Sequence, residues 1–164
     1  MKRAILILSV SSLLFSGIGC IKNGDCQDKT IQSEQAAILA YASANSIAGT
    51  AHSSGIYYQI ISTGSGPTPS LTSQVSVRYT GKLLDGTVFD SQTGTPVSFQ
   101  LGATIPGWQI ALQQIQKGGQ IKVIIPSALA YKCGGYGSIP GNSILYFDIQ
   151  LVDELYSLRL SAFA

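Results

Sequence analysis

The stretch from Val75 to Asp90 combines a strand pattern with side chains that could shape a binding pocket. Apolar residues at every second position predict a strand with one buried face. The dipeptide Asp85-Gly86 then favours a tight hairpin turn, after which the return strand sets the ring of Phe89 beside the carboxylate of Asp90. A ring and a carboxylate at a strand end could line an apolar site with one polar edge, although an ordinary hairpin has the same pattern.

Further large apolar residues follow at positions that could complete such a site. Pro106-Gly107-Trp108 predicts the start of a helix, with Trp108 on its apolar face. Scattered aromatic residues more often form a core than a ligand pocket, so the residue types alone leave both interpretations open.

The elements that must position these residues are mostly short strands. Strand patterns occupy 55–62, 75–80, 96–101, 121–125 and 144–152, and one helix is predicted from Pro106 to Gly118-Gly119. An alanine-rich stretch over 31–47 predicts a short N-terminal helix that packs on its own domain; a dimerisation helix is the alternative. Several strands around one short helix predict an α+β domain, with an antiparallel sheet whose single apolar face packs on that helix.

Taken in order, these segments resemble the FKBP-type peptidyl-prolyl cis-trans isomerases over about residues 55–154. The resemblance rests on five motifs: VSVRYTGKLLDGTVFD at 75–90, IPGW at 105–108, PSALAY at 126–131, SIP at 138–140 and LYFD at 145–148. It implies the FKBP-like fold, an antiparallel β-sheet wrapped around one short α-helix. In this chain a short N-terminal helix would precede that fold.

The resemblance also implies an activity: faster isomerisation of X–Pro bonds, with the twisted amide bound in an aromatic pocket and no covalent step, cofactor or metal. The implied catalytic residues are Asp90, Tyr131 and Phe89. The implied substrate-binding residues are Tyr79, Phe99, Ile105, Trp108, Ile139 and Phe147. Proline-containing or unfolded exported polypeptides are the implied partners, and macrolide inhibitors the implied ligands.

Two positions depart from the family pattern. Thr95 stands where many relatives carry an arginine that supports the aspartate, and Lys132-Cys133 follow Tyr131 in place of the more usual glycine. The alternative function is therefore a non-catalytic chaperone or peptide-binding module with the same fold. A structural or adhesion lipoprotein is disfavoured, because a scaffold has no need of the pocket aromatics.

The N-terminus is typical of an exported protein. Lys2-Arg3 precede a mostly apolar stretch, 4–18, that is too short and too serine-rich to span a membrane. Gly19-Cys20 resembles a lipoprotein processing site, which predicts lipidation of Cys20 and a membrane anchor. The alternative is plain secretion with Cys20 paired to Cys26, and the sequence leaves open whether Cys26 and Cys133 pair. The predicted location is a periplasmic or outer-membrane-associated lipoprotein of a Gram-negative-type bacterium.

The predicted organisation is a signal peptide (1–19), a lipid-anchored tether with a short helix (20–54), the isomerase domain (55–154) and a C-terminal tail (155–164). Without Lys2 and Arg3 the chain carries eight basic and eight acidic residues. A net charge near zero does not favour binding to the negatively charged backbone of nucleic acid. The only histidine, His52, lies in a linker-like Ala-His-Ser-Ser stretch, and the three cysteines lack zinc-site spacing. Neither a catalytic triad nor a metal centre is therefore predicted.

Overall fold

The computed structural model describes residues 26–155, which form one six-stranded antiparallel sheet with a helix on each face. The spatial order of the strands is β1-β2-β5-β6-β3-β4. The predicted α+β fold is thereby confirmed. The strands are β1 (Thr50–Ala51), β2 (Tyr57–Ser62), β3 (Gln74–Leu83), β4 (Val88–Gln100), β5 (Gln120–Ile125) and β6 (Leu145–Leu155), and the helices are α1 (Ile31–Ala44) and α2 (Pro106–Leu112).

The main core lies between the sheet and α2. Residues at every second position of β3, β5 and β6 point to this helix and are almost fully buried, as the two-residue period of a strand requires. The helix can approach closely because Gly107 has no side chain: a Cβ there would lie 2.3 Å from Cγ2 of Ile125. This packing fixes Trp108, which is 5% exposed, directly against the sheet.

The opposite face of the sheet is covered in part by α1. This helix begins after Thr30, whose hydroxyl accepts a hydrogen bond from the Ser33 N–H at 3.2 Å. Its residues Ile38 and Ala42, one turn apart, are buried against Ile124 of β5. The N-terminal helix therefore packs on its own domain as predicted. The prediction of a single apolar sheet face was wrong, because β5 is buried on both sides where α1 crosses it.

Two predicted elements have different limits in the structure. The expected separate strand at 96–101 is the second half of β4, because Phe99 and Val97 pair with Val75 and Val77 of β3. The pairing of β3 with β4 shifts register twice, between Val77 and Tyr79 and again between Gly81 and Lys82. The helix expected to reach Gly118-Gly119 ends at Leu112 instead. Beyond it, the backbone N–H groups of Gln116 and Gly118 donate to carbonyls of neighbouring segments rather than continuing a helix.

A disulfide joins Cys26 to Cys133, 107 residues apart. It answers the question that the sequence left open, and the alternative pairing of Cys26 with Cys20 is wrong. Cys20, the predicted lipidation site, and the predicted signal peptide lie outside the described residues. No helix within residues 26–155 is long and apolar enough to cross a membrane.

Candidate active site

A cavity of about 360 Å³ opens on the face of the sheet that carries α2. We call it the aromatic cavity. Strands β3, β4 and β6 supply one side of it, α2 and the residues before it form the floor, and the segment after β5 closes the rim. Its lining comprises Tyr79, Phe89, Asp90, Phe99, Ala103, Thr104, Ile105, Trp108, Tyr131, Tyr136 and Phe147.

Eight of the nine site residues predicted from the sequence thus line one cavity. The ninth, Ile139, is 7% exposed and lines a smaller adjoining cavity of about 180 Å³. Phe89, Asp90, Tyr131 and Tyr136 border both cavities, so Ile139 sits beside the main one rather than in it. The assignment of individual roles to these residues remains a prediction.

The floor and walls are aromatic rings that meet edge to face. Trp108 lies 5.0 Å from the Tyr79 ring and 5.2 Å from the Phe147 ring, with interplanar angles of 84° and 86°. Phe99 meets Trp108 at 6.1 Å, and Phe89 meets Phe147 at 5.5 Å, again nearly perpendicular. Perpendicular aromatic pairs are favourable contacts between flat, rigid groups. Such rings cannot collapse into the space between them, so the packing preserves an open, apolar cavity.

Gly81 makes this ring arrangement possible. It lies on β3 two residues after Tyr79, and a Cβ at this position would lie 2.6 Å from the Phe89 ring and 2.7 Å from the Phe147 ring. Any side chain would therefore displace one of the two rings. Sequence reasoning did not single out Gly81, because a glycine inside a strand pattern does not reveal which rings cross it.

The cavity has one acidic edge, at Asp90. Its Oδ2 accepts a hydrogen bond from the Tyr79 hydroxyl at 2.5 Å. Burial raises the pKa of Tyr79 above its ordinary value, and the hydrogen bond to Asp90 and the negative charge of Asp90 raise it further. The Tyr79 hydroxyl thus keeps its proton to higher pH than an ordinary tyrosine, and its hydrogen bond holds the carboxylate at the cavity wall. Thr95, in the second half of β4, is exposed.

Two stacked tyrosines form the outer rim. The rings of Tyr131 and Tyr136 lie 5.0 Å apart and nearly parallel, at 14°. Burial raises the pKa of Tyr131, with smaller contributions from Tyr136 and Asp90, so its hydroxyl remains a donor at neutral pH. Tyr136 is 68% exposed and was not predicted. Its place five residues after Tyr131 in a glycine-rich loop gave no periodic signal that could have identified it.

The floor also presents two N–H donors. The Ile105 carbonyl accepts from the N–H groups of Trp108 and Gln109 at the start of α2, whereas the Ile105 N–H has no acceptor within residues 26–155. The indole Nε1 of Trp108 is likewise buried without a partner in this part of the chain. Ile105 is only half-buried, so its N–H is suited to a carbonyl that enters the cavity, whereas the indole Nε1 is enclosed by the protein and offers a bound molecule no accessible surface.

Comparison with known proteins agrees with this geometry. A family model described as FKBP-type peptidyl-prolyl cis-trans isomerase matches residues 66–152. The chain belongs to this family. The family predicted from the sequence motifs is thereby confirmed.

Individual members of the family are similar over the same region. FkpA from Escherichia coli is 46% identical over 103 residues, which cover 62% of this chain and 38% of FkpA. A probable FKBP-type isomerase from Haemophilus influenzae is 48% identical over 103 residues, or 61% of this chain and 43% of that protein. The chain thus spans about two-fifths of the length of these curated relatives.

Solved structures share the fold. The crystal structure of FkpA from Escherichia coli matches with a TM-score of 0.65 and 37% identity, over 76% of this chain and 62% of that one. A peptidyl-prolyl isomerase from Pseudomonas syringae matches with a TM-score of 0.65 and 31% identity, over 79% of this chain and 99% of that one. The second alignment therefore includes almost all of the Pseudomonas syringae structure and about four-fifths of this chain.

Proposed function

We propose that this chain accelerates cis-trans isomerisation of X–Pro bonds in exported polypeptides by binding the amide in its twisted form. The observation that carries the proposal is the aromatic cavity itself: a Trp108 floor, perpendicular rings as walls and hydrogen-bond donors at its edge. The Ile105 N–H and the Tyr131 hydroxyl are the donors that a bound peptide would meet. FkpA and the other named relatives are themselves peptidyl-prolyl isomerases, which supports the same activity here.

The reaction needs no covalent chemistry from the protein. Amide resonance sets a barrier of about 18–20 kcal/mol for rotation about the peptide bond, so an X–Pro bond isomerises in tens of seconds or longer. The planar amide is more dipolar than the twisted one, in which resonance is lost. An apolar cavity disfavours the planar form relative to water, while a complementary shape favours the twisted form. Each gain of about 1.4 kcal/mol accelerates the rotation tenfold.

The residues divide this task between them. The proline ring rests on Trp108 between the rings of Tyr79, Phe99 and Phe147, which exclude water. The Ile105 N–H and the Tyr131 hydroxyl donate to the carbonyls that flank the proline and hold the chain on either side of the rotating bond. Asp90 fixes the Tyr79 ring through its hydrogen bond and gives the cavity rim a negative charge. Phe89, the residue before Asp90, forms a further wall of the cavity.

The chain's location is part of the proposal. The Cys26–Cys133 disulfide fits an oxidising compartment outside the cytoplasm. The basic, apolar N-terminus and Gly19-Cys20 support export and attachment to a membrane through a lipid on Cys20. In this arrangement 1–19 is the signal peptide, 20–54 the tether with its helix, 55–154 the isomerase domain and 155–164 the tail. Proline-containing exported polypeptides at the membrane surface are then the substrates.

The test measures isomerisation of a short X–Pro peptide by the purified, oxidised chain, with and without a macrolide ligand of the family. Asp90→Val and Tyr131→Phe should each lower kcat/KM about tenfold or more, which corresponds to about 1.4 kcal/mol of transition-state stabilisation. Asp148→Val is the matched control: this carboxylate also accepts a side-chain hydrogen bond, from Gln120, but faces the other side of the sheet. It should leave kcat/KM within twofold.

The outcomes separate the two functions. Turnover that the macrolide abolishes, and that falls in the cavity variants alone, supports the isomerase. A folded chain that binds the peptide without turnover would instead support the peptide-binding module. Full activity in both Asp90→Val and Tyr131→Phe would show that the roles assigned to these residues are wrong.

A further inference from the structure

The most unusual buried group outside the aromatic cavity is the carboxylate of Glu34. It lies in the first turn of α1, and the residue is only 2% exposed. Its Oε2 accepts from the backbone N–H of Ser127 and its Oε1 from the Ser127 hydroxyl, both at 2.8 Å. Within residues 26–155 no lysine or arginine forms a salt bridge with it. The two donors of Ser127 and the positive end of the α1 dipole are therefore what holds this carboxylate in place.

Ser127 needs such a partner because of its position. It begins a 3-10 turn, Ser127–Leu129, whose preceding residue is Pro126, and no side chain within the turn caps its first N–H groups. The first N–H groups of a helical turn have no partner inside that turn, and Ser127 is completely buried, so water cannot supply one. Glu34 supplies the missing acceptor from a different element, 93 residues earlier in the chain.

This 3-10 turn leads directly to the cavity. The Ala130 N–H donates to the Ser127 carbonyl at 3.0 Å, and Tyr131 is the next residue. The Ser127–Leu129 turn therefore holds the chain at the residue directly before Tyr131. Glu34 fixes one end of the turn and contributes nothing to the cavity lining itself.

A second set of contacts fixes the chain just beyond Tyr131. Cys133 is bonded to Cys26, and its N–H donates to the Asp28 carboxylate at 3.0 Å. Asn142 donates from its side-chain amide to the Gln27 carbonyl at 2.9 Å, and its Oδ1 accepts from the Lys29 N–H at 3.2 Å. Residues 26–29 thus contact both ends of the segment 133–142, which carries Tyr136.

We propose that residues 26–34, the N-terminal segment, are a built-in support for the pocket loop, residues 127–142, and that Glu34 is a positioning residue for Tyr131, acting through Ser127. The inference rests on the proposed function, since it assigns Tyr131 to substrate. The N-terminal segment precedes the region matched by the family model, residues 66–152. This chain therefore places part of the support of its binding site outside the family domain.

The test compares three variants of the oxidised chain. Glu34→Ala leaves the Ser127 N–H without an acceptor, and kcat/KM per folded molecule should fall on the order of tenfold, because small displacements of a substrate-binding group are costly. Glu34→Gln should restore most of the activity: its amide oxygen accepts from the Ser127 N–H, and the hydroxyl can rotate to accept from its NH₂. Ile38→Val weakens the packing of the same helix without touching Ser127, and should leave kcat and KM unchanged.

Amide hydrogen exchange provides a readout that does not need turnover. Glu34→Ala should speed exchange within the pocket loop, while β3 and β6 exchange as in the unmodified chain. Ile38→Val should not produce this local increase. Glu34→Gln should resemble the unmodified chain.

The outcomes distinguish this inference from the proposed function. If the unmodified chain turns over peptide but Glu34→Ala matches it in kcat/KM and in pocket-loop exchange, the support role is wrong and the isomerase stands. If the unmodified chain shows no turnover, the proposed function fails. In that case faster pocket-loop exchange in Glu34→Ala alone would still support the positioning of the loop, and equal exchange in all variants would overturn it.

Discussion

Two cavities of nearly equal volume lie on opposite faces of the same sheet, about 360 Å³ for the aromatic cavity and about 370 Å³ for the second. The second, which we call the polar hollow, has charged and polar walls, and four of its lining residues pair with each other. Gln120 donates to Asp148 at 2.8 Å, and Arg78 donates to Gln150 at 3.4 Å. Its lining comprises Arg78, Tyr79, Thr80, Lys82, Thr93, Gln120, Tyr146, Asp148 and Gln150, so Tyr79 borders both cavities.

The two cavities are made by the same strands. Arg78 and Thr80 line the polar hollow, while the ring of Tyr79 between them packs against Trp108 in the aromatic cavity. On β6, Phe147 of the aromatic cavity lies between Tyr146 and Asp148 of the polar hollow. Successive side chains of a strand point to opposite faces of the sheet, so the same strands form an aromatic wall on one face and a polar wall on the other. Equal volume therefore says little about function. Only the aromatic side can withdraw an amide from water, which is what favours its twisted form.

The two cavities also differ in what holds their walls. Every residue of the polar hollow lies on a strand, so the sheet alone fixes its shape. The aromatic cavity takes Ala103 to Ile105 and Tyr131 and Tyr136 from segments outside the strands. Its rim therefore depends on loop anchors, of which the Cys26–Cys133 disulfide is the only covalent one among the described residues. Three experiments can break or sharpen this contrast.

The largest effect is expected from removing the disulfide. In the double variant Cys26→Ser, Cys133→Ser, the free energy of unfolding should fall by about 2–5 kcal/mol, because a cross-link over a long loop restricts the unfolded chain. Denaturant titration of the double variant and the unmodified chain measures this difference. Replacing both cysteines prevents either from pairing with Cys20.

The location of the change tests the contrast between the cavities. Amide exchange should increase most in residues 131–142 at the aromatic rim, while β3 and β6, which wall both cavities, should show only the increase that the lower free energy of global unfolding requires. An equal increase in the rim and in these strands would mean that the disulfide stabilises the fold as a whole and that the rim has no special dependence on it.

The second experiment shortens one aromatic residue on each face. Trp108→Leu removes the floor of the aromatic cavity, and kcat/KM should fall about 100-fold, or about 2.7 kcal/mol in transition-state stabilisation. Tyr146→Leu, the matched change at the polar hollow, should leave kcat/KM within twofold. Peptide isomerisation assays under conditions where both variants are folded measure the difference. Comparable losses in the two variants would mean that turnover follows general packing and not the chemistry of one cavity.

The sequence predicted the local features of this architecture well. The alternation in β3 and β6, the Asp85-Gly86 turn and the proline at the start of α2 are properties of a few neighbouring residues, and the structure has each of them. The family motifs then brought together residues that lie far apart in the chain. Eight of the nine predicted site residues share one cavity. The motifs allowed this prediction because they carry information about contacts between distant segments, which hydrophobic periodicity does not.

Contacts between distant segments could not be predicted. Glu34 meeting Ser127 and Cys26 pairing with Cys133 depend on how α1 crosses the sheet, and neither partner has a sequence pattern that indicates the other. The early end of α2 has the same cause. Local helix propensity favours a longer α2. Instead, the backbone N–H groups of Gln116 and Gly118 donate to the carbonyls of Thr63 and Leu151, which are distant in sequence. Tyr136 was missed because a glycine-rich loop has no period.

The smallest effect is expected from the pH dependence of stability. One tyrosine at each cavity, Tyr79 and Tyr146, should affect the free energy of unfolding at alkaline pH in the same way, but only Tyr79 should affect turnover. Burial raises the pKa of both Tyr79 and Tyr146, and Asp90 and Asp148 respectively raise it further. An unfolded tyrosine loses its proton near pH 10, whereas these two keep theirs to higher pH in the folded chain. The free energy of unfolding should thus be unaffected by them below about pH 9 and should fall as pH rises above 10.

Two variants test this prediction. Tyr79→Phe and Tyr146→Phe should each reduce the decline in the free energy of unfolding above pH 10, measured by denaturant titration. Only Tyr79→Phe, which loses the hydrogen bond to Asp90, should also lower turnover at pH 8. Lower turnover in Tyr146→Phe, or an unchanged decline in both variants, would contradict the separation of the two faces.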